Sequence, residues 1–246
     1  NKVLQPDVFL CGDAKLVLEQ LIPLVSKLDS AEWVKTCMNW KKRYPLTYPK
    51  QGGLRMQHIV HTLWKTTQGK AIVTSDVGQH QMWVAQFFKT DYPRQLHNSG
   101  GAGTMGFVCC FAGDGGFQMT MAEMATACIH KLPIKIFVMD NKYLGMVRQW
   151  QDLFYDKRYS AVDMVGNPDF VKFAEAYGAL GLRIKRAADA ERIIQKALDH
   201  NDGPVLIHCE CEKEDNVFPM IPAGAPISSM ITEPPKTQLE KPTGST

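Results

Sequence analysis

The stretch that decides the fold is Val108-Cys109-Cys110-Phe111-Ala112-Gly113-Asp114-Gly115-Gly116, answered by Ile134-Lys135-Ile136-Phe137-Val138-Met139-Asp140-Asn141. Each begins as a short apolar run, the pattern of a strand covered on both faces. Between them, residues 117 to about 131 carry a helical pattern. Strand, helix and strand make one βαβ unit. In a parallel sheet both strand tips lie at the carboxyl edge, where ligands bind. Asp114 and Asn141, 27 positions apart, would then sit side by side. A carboxylate and a carboxamide oxygen there suit Mg²⁺. The glycines let backbone N–H groups approach a diphosphate at a helix N-terminus. The same residues suit a helix cap at Asp114 and a turn at Asn141, and the local pattern does not separate the two readings.

Outward from this unit the alternation continues. Residues 71–74 read as a strand, 75–80 as a polar strand-to-helix turn and 81–88 as a helix with aromatic residues. A short strand at 95–97 leads into a glycine-rich loop at 99–106. Downstream, helices are expected over 143–154, 169–177 and 190–200, and strands over 182–184 and 205–209. Strands alternating with helices imply an α/β fold, a doubly wound parallel sheet with helices on both faces. Upstream, a strand at 7–12 and a helix at 14–28 look like the last βα unit of a preceding domain, followed by a helix over 31–44. The expected division is therefore 1–30 as the end of a preceding α/β domain and 31–66 as a helical linker, with a helix over 58–64. The main domain with its C-terminal tail occupies 67–246, and 241–246 reads as disordered.

Composition narrows the class. The 246 residues are 45% hydrophobic and 22% charged, the balance of a soluble globular protein. A net charge of +3 is too small to argue for nucleic acid or a membrane surface. No apolar run reaches the roughly 18–20 residues of a membrane span. The first residues show no signal-peptide pattern and no initiator Met, so the chain reads as cut from something longer. None of the seven cysteines forms a C-x-x-C pair, which reads as reduced thiols in a cytoplasmic protein. An organelle stays open, because a transit peptide would precede Asn1.

Three further patterns flank this unit. Gly101-Ala102-Gly103-Thr104-Met105-Gly106 matches G-x-G-x-x-G, but an apolar strand-like run follows it where a dinucleotide site needs a helix. Gln79 and His80 fall at the carboxyl end of a strand, on the site's edge of the sheet. Met146 and Trp150 are four apart on one helix face, as either a ligand wall or a packing stripe would have them.

With these motifs in hand, the sequence resembles a known family. Gly113-Asp114-Gly115 followed by Asn141 resembles the thiamin diphosphate motif, with Asp140 where members commonly carry a first Asn. Gly78-Gln79-His80-Gln81-Met82-Trp83, the loop 99–106, Leu144-Gly145-Met146-Val147-Arg148-Gln149-Trp150 and Phe218-Pro219-Met220-Ile221-Pro222-Ala223-Gly224 are similar to the catalytic large subunits of acetohydroxyacid (acetolactate) synthases. The resemblance implies that Asp114, Asn141 and the Tyr143 carbonyl hold Mg²⁺. It implies a thiamin diphosphate site made by Gly78, Gln79, His80, Gly103, Met105, Gly113, Gly115, Gly116, Gly145 and Met146, with Met146 and Trp150 bordering a substrate channel. Pyruvate and a second 2-oxoacid would condense to acetolactate or acetohydroxybutyrate in branched-chain amino-acid biosynthesis. A dimer or higher homo-oligomer and a regulatory small subunit are implied as partners, with no nucleic acid and no membrane. FAD belongs to the family's middle domain, of which only residues 7–13 resemble a part, so the resemblance does not carry FAD to this chain.

Two departures stand out. The family's activating glutamate comes from an N-terminal domain that this sequence does not contain, so no catalytic residue is assigned in this chain. Met105 and Gly113 are only eight positions apart, whereas a parallel crossover takes a dozen or more residues. Either a helix of roughly four turns is missing between Phe107 and Val108, or the sheet is locally rearranged. The rival readings are a lone-domain subunit of another thiamin-dependent 2-oxoacid decarboxylase or oxidoreductase, and an inactive fragment.

Overall fold

A computed structural model describes residues 5–98 and 109–234. The chain forms two compact units, 1–47 and 48–246. In the first, α1 (Ala14–Leu21) starts at Asp13, whose carboxylate accepts the Lys15 and Leu16 N–H groups at 3.0 and 3.2 Å. A 3₁₀ turn (Ile22–Leu24) and α2 (Ala31–Arg43) follow, and neither α1 nor α2 buries a residue. The strand expected over 7–12 is absent: these residues are irregular and exposed. A short apolar run is a weak strand signal without a neighbour to pair with.

The second unit runs α3 (Met56–Thr66), β1 (Val73–Ser75), α4 (Gln79–Phe87), β2 (Leu96–Asn98), β3 (Cys109–Gly113), α5 (Asp114–Thr120), α6 (Met124–Ile129), β4 (Lys135–Asp140), α7 (Gly145–Phe154), α8 (Phe170–Ala176), β5 (Leu180–Ile184), α9 (Ala187–Asp199) and β6 (Val205–Glu210). The six strands pair in the order β2-β1-β3-β4-β6-β5, all parallel. Alternation across the pleat sorts the side chains by face. Phe111, Phe137, Met139 and Ile207 pack with α3, α4 and α9. Ala112, Val138 and Leu206 pack with α5, α6 and α8. Phe111 and Phe137 are register partners on adjacent strands and their rings stack at 4.9 Å.

Two expectations are corrected here. The helix read as part of a linker is α3, whose Ile59, Val60 and Leu63 are core residues, and the unit boundary falls after Thr47 rather than after residue 66. The single helix expected over 117 to 131 is two short ones, α5 and α6, separated by a 3₁₀ turn (Met121–Glu123). The sheet itself is not rearranged: β3 lies parallel beside β1 in continuous register, Val73 opposite Cys109. Residues 99–108, which join β2 to β3, lie outside the described residues, as do 241–246. Ten residues can span at most about 36 Å. By register the return drops two residues, from the level of Ser75 to that of Val73, and crosses two strand spacings, about 12 Å in a straight line. The connection is thus long enough to reach, though shorter than such crossovers usually are. Among the described residues, no helix is long and apolar enough to cross a membrane.

Candidate cofactor site

The chain runs from β1 to β2 on one side and then to β3 on the other, so strand order reverses between β1 and β3. Crevices at such a reversal, outside the carboxyl ends of the strands, are where open α/β sheets bind ligands. A cleft of about 210 Å³ lies there. Its lining comes from Val77 to His80 after β1, Gly113 to Gly116 after β3, and Asn141 and Tyr143 to Val147 after β4, with Met56 and Met139 at its wall.

Asp114 is the first residue of α5, with Gly113 as the cap, so the helix-cap reading of its carboxylate fails. Its Oδ1 accepts from Gly115 N–H at 3.0 Å. Its Oδ2 accepts from Asn167 Nδ2 at 2.7 Å and Lys142 N–H at 3.1 Å. Lys142 takes a left-handed φ of 61°, a conformation that costs a non-glycine residue about 1 kcal/mol or more. That twist aims one N–H at both Asp114 and Asp140, at 3.1 Å each. Asn141 Oδ1 accepts from Tyr143 N–H at 3.3 Å.

Burial pushes the Asp114 carboxyl up to about 7, opposed by the Asn167 hydrogen bond and reinforced by the neighbouring Asp140 carboxylate. Asp140 goes the other way. Burial would raise it, but hydrogen bonds from His208 at 2.7 Å and Lys142 at 2.8 Å hold it below the usual carboxylate range. The pair therefore divides its labour: Asp140 keeps its charge inside the protein, and Asp114 presents a carboxylate whose ionisation a divalent cation at the cleft would restore.

Two glycines are fixed by close approach. A Cβ on Gly116 would strike Asp76 Oδ2, and one on Gly145 would strike Gln79 Oε1. Gln79 Oε1 is buried without a hydrogen-bond partner. The Gln79 amide nitrogen donates to Gln149 Oε1 at 2.7 Å and to the Asp215 carbonyl at 3.0 Å. Gln149 in turn accepts from Val217 N–H at 2.8 Å and donates to its carbonyl at 3.0 Å, tying α7 to the C-terminal segment.

The sequence-predicted residues Gly78, Gln79, His80, Gly113, Asp114, Gly115, Gly116, Asn141, Tyr143, Gly145 and Met146 all line this one cleft. Trp150 does not: it is exposed on α7 and packs edge-on against Phe154 at 6.3 Å. Gly103 and Met105 lie outside the described residues. Sequence reasoning missed Met56 and Met139, the first because its helix was read as a linker, the second because a buried strand residue carries no signal of facing a cleft.

Residues 76–209 match the family described as thiamine pyrophosphate enzyme, C-terminal TPP binding domain. The chain belongs to this family. Proteins named as acetolactate synthase large subunits match over almost its whole length. It is 37% identical to the acetolactate synthase isozyme 3 large subunit of Escherichia coli, over 94% of this chain and 45% of that one. It is 39% identical to the acetolactate synthase large subunit of Lactococcus lactis, over 94% of this chain and 43% of that one. The chain thus spans less than half the length of these relatives. The crystal structure of benzoylformate decarboxylase from Polynucleobacter necessarius shares the fold, with a TM-score of 0.62 at 19% identity over 70% of this chain and 35% of that one.

As a thiamine pyrophosphate enzyme domain, the chain has a donor set that fits its cofactor. The carboxylate, carboxamide and carbonyl oxygens at 114, 141 and 143 are the hard ligands that Mg²⁺ takes. The glycine-edged turns after β1 and β3 bring backbone to the cleft that a diphosphate would enter.

Proposed function

We propose that this chain is the thiamin diphosphate-binding part of an acetolactate synthase, which condenses pyruvate with a second 2-oxoacid to acetolactate or acetohydroxybutyrate. The observation that carries the reading is the convergence of Asp114, Asn141 and Tyr143 with Gln79 and His80 on one cleft at the strand-order reversal. The likeness to acetolactate synthase large subunits supports the choice of reaction. Asp114, Asn141 and the Tyr143 carbonyl would hold Mg²⁺, and the turns at 78–80 and 113–116 would hold the diphosphate. When bound, the cofactor supplies the stabilised carbanion chemistry that breaks and makes the carbon–carbon bonds. Met56, Met139, Leu144 and Met146 line the cleft with apolar surface that excludes water. Asp114 is the one carboxylate on the cleft wall among the described residues, and as an ion ligand it would not serve as the activating glutamate. That glutamate would come from a further domain of the complete enzyme, which would work as a homo-oligomer with a regulatory subunit and which we place in the cytoplasm.

Calorimetry with thiamin diphosphate and Mg²⁺ tests the reading. The chain should bind, and Asp114→Ala should weaken binding about 100-fold, the scale on which metal sites lose affinity when a supporting group goes. Equal heats for both proteins would remove the metal assignment. Acetolactate formation should appear only on adding the glutamate-bearing domain of a relative.

A further inference from the structure

Asp76 and His80 form a buried pair that the ion-ligand set leaves unused. Each is 4% exposed. Asp76 directly follows β1, and its N–H donates to the Phe111 carbonyl at 3.2 Å, which anchors it beside β3. Its Oδ1 accepts from His80 Nε2, four residues on, and from Gly113 N–H at 3.4 Å. Its Oδ2 rests over Gly116, in space that any side chain at 116 would fill. An ionised carboxylate can only accept, so the shared proton belongs to Nε2. The Nδ1–Cε1 edge of the ring faces Gly78 and Gly113, at 3.3 and 3.2 Å from the point where a Cβ on Gly113 would stand. Gly78, His80 and Gly113 all line the cleft.

We infer that Asp76 is a positioning residue, which holds His80 by Nε2 and turns Nδ1 toward the bed of an anionic diphosphate group. This rests on the cofactor site proposed above. With Nε2 engaged by the carboxylate behind the ring, Nδ1 is the ring nitrogen left to meet a phosphate group in front of it. The bare Gly116 is part of the device, because it gives the second carboxylate oxygen its seat.

The test begins with the ligand-free chain. Long-range ¹H–¹⁵N spectra should show His80 as the Nε2–H tautomer, and an Nδ1–H tautomer in the wild-type chain would overturn the inference whether or not any variant folds. Calorimetry with inorganic pyrophosphate and Mg²⁺ follows. Asp76→Ala should mix the tautomers and weaken binding about tenfold, the worth of one hydrogen bond to a charged group. Asp76→Asn keeps an acceptor oxygen and should retain the tautomer, with binding within about threefold of wild type. In a His80→Ala background, Asp76→Ala should cost nothing more, because it acts through the ring. Additive losses, or no loss in Asp76→Ala, would overturn the inference, as would a wild-type chain that binds no pyrophosphate. A chain that passes these steps yet gives no heat with thiamin diphosphate would sink the cofactor reading and leave the Asp76–His80 arrangement standing.

Discussion

Residues 5–47 and 48–234 use the same apolar residue types in opposite ways. In the first unit Leu24 is 82% exposed and Leu28 79%, and its helices bury nothing. In the second, Ile59, Phe111 and Phe137 are at 0%. Both units have regular helices, and each has one with a full N-cap: Asp13 satisfies two backbone N–H groups of α1 and Asp169 two of α8. Helix formation is thus a local matter of periodicity and capping, whereas burial needs a second layer, which the parallel sheet supplies only to the second unit.

That contrast is easiest to break with core truncation. Phe137→Ala should cost about 3–5 kcal/mol in urea unfolding, whereas Leu24→Ala should stay within about 0.5 kcal/mol. A comparable loss at Leu24 would mean that the first unit has a core after all. Next in size is a pH effect confined to the second unit. Asp114 has a folded pKa raised to about 7 from an ordinary 3.8, so between those values the folded state keeps a proton that the unfolded chain has released. The stability this gives is complete below pH 4 and is lost as pH rises toward 7, on the order of a few kcal/mol in metal-free protein. Asp140, held below its usual range, is ionised in both states across this window and does not mask the effect. Asp215, raised by burial, acts in the same direction, so the wild-type minus Asp114→Asn difference isolates Asp114. A flat difference between pH 4 and 8 would remove the assignment.

Gly145→Ala should cost about 1–3 kcal/mol and weaken cofactor binding, because its Cβ collides with Gln79 Oε1. An unchanged melting curve would show that Gln79 moves freely. Smallest is Asp13→Ala, which should remove about 1 kcal/mol from α1 alone and leave the second unit's transition untouched. A shift in both transitions would mean that the two units unfold as one.

The centre of the sheet was legible because β1, β3 and β4 carry apolar residues and run into Asp76, Gly113-Asp114 and Asp140-Asn141. The run at 7–12 has the same composition and became irregular chain, since no spacing rule supplies a neighbour. The cleft was legible where residue types are chemically rare at strand tips, as at Gln79-His80 and Gly113 to Gly116. It was illegible where an ordinary packing residue faces it, as at Met56 and Met139. Trp150 shows the converse: spacing put it with Met146, but four residues along α7 carried it off the cleft wall. A missing helix between Phe107 and Val108 rests on the short spacing from Met105 to Gly113. Sequencing the source DNA across the codons for Phe107 and Val108 tests it, and an uninterrupted reading frame there would sink it.

The Gln149 side chain has one more consequence. Its amide meets both the N–H and the carbonyl of Val217, as the backbone of a neighbouring strand would. A segment with no secondary structure is thereby hooked to a helix by one rung of imitation ladder. Val217 should stand out in hydrogen–deuterium exchange as a slow amide among fast neighbours, and Gln149→Leu should make it as fast as the rest.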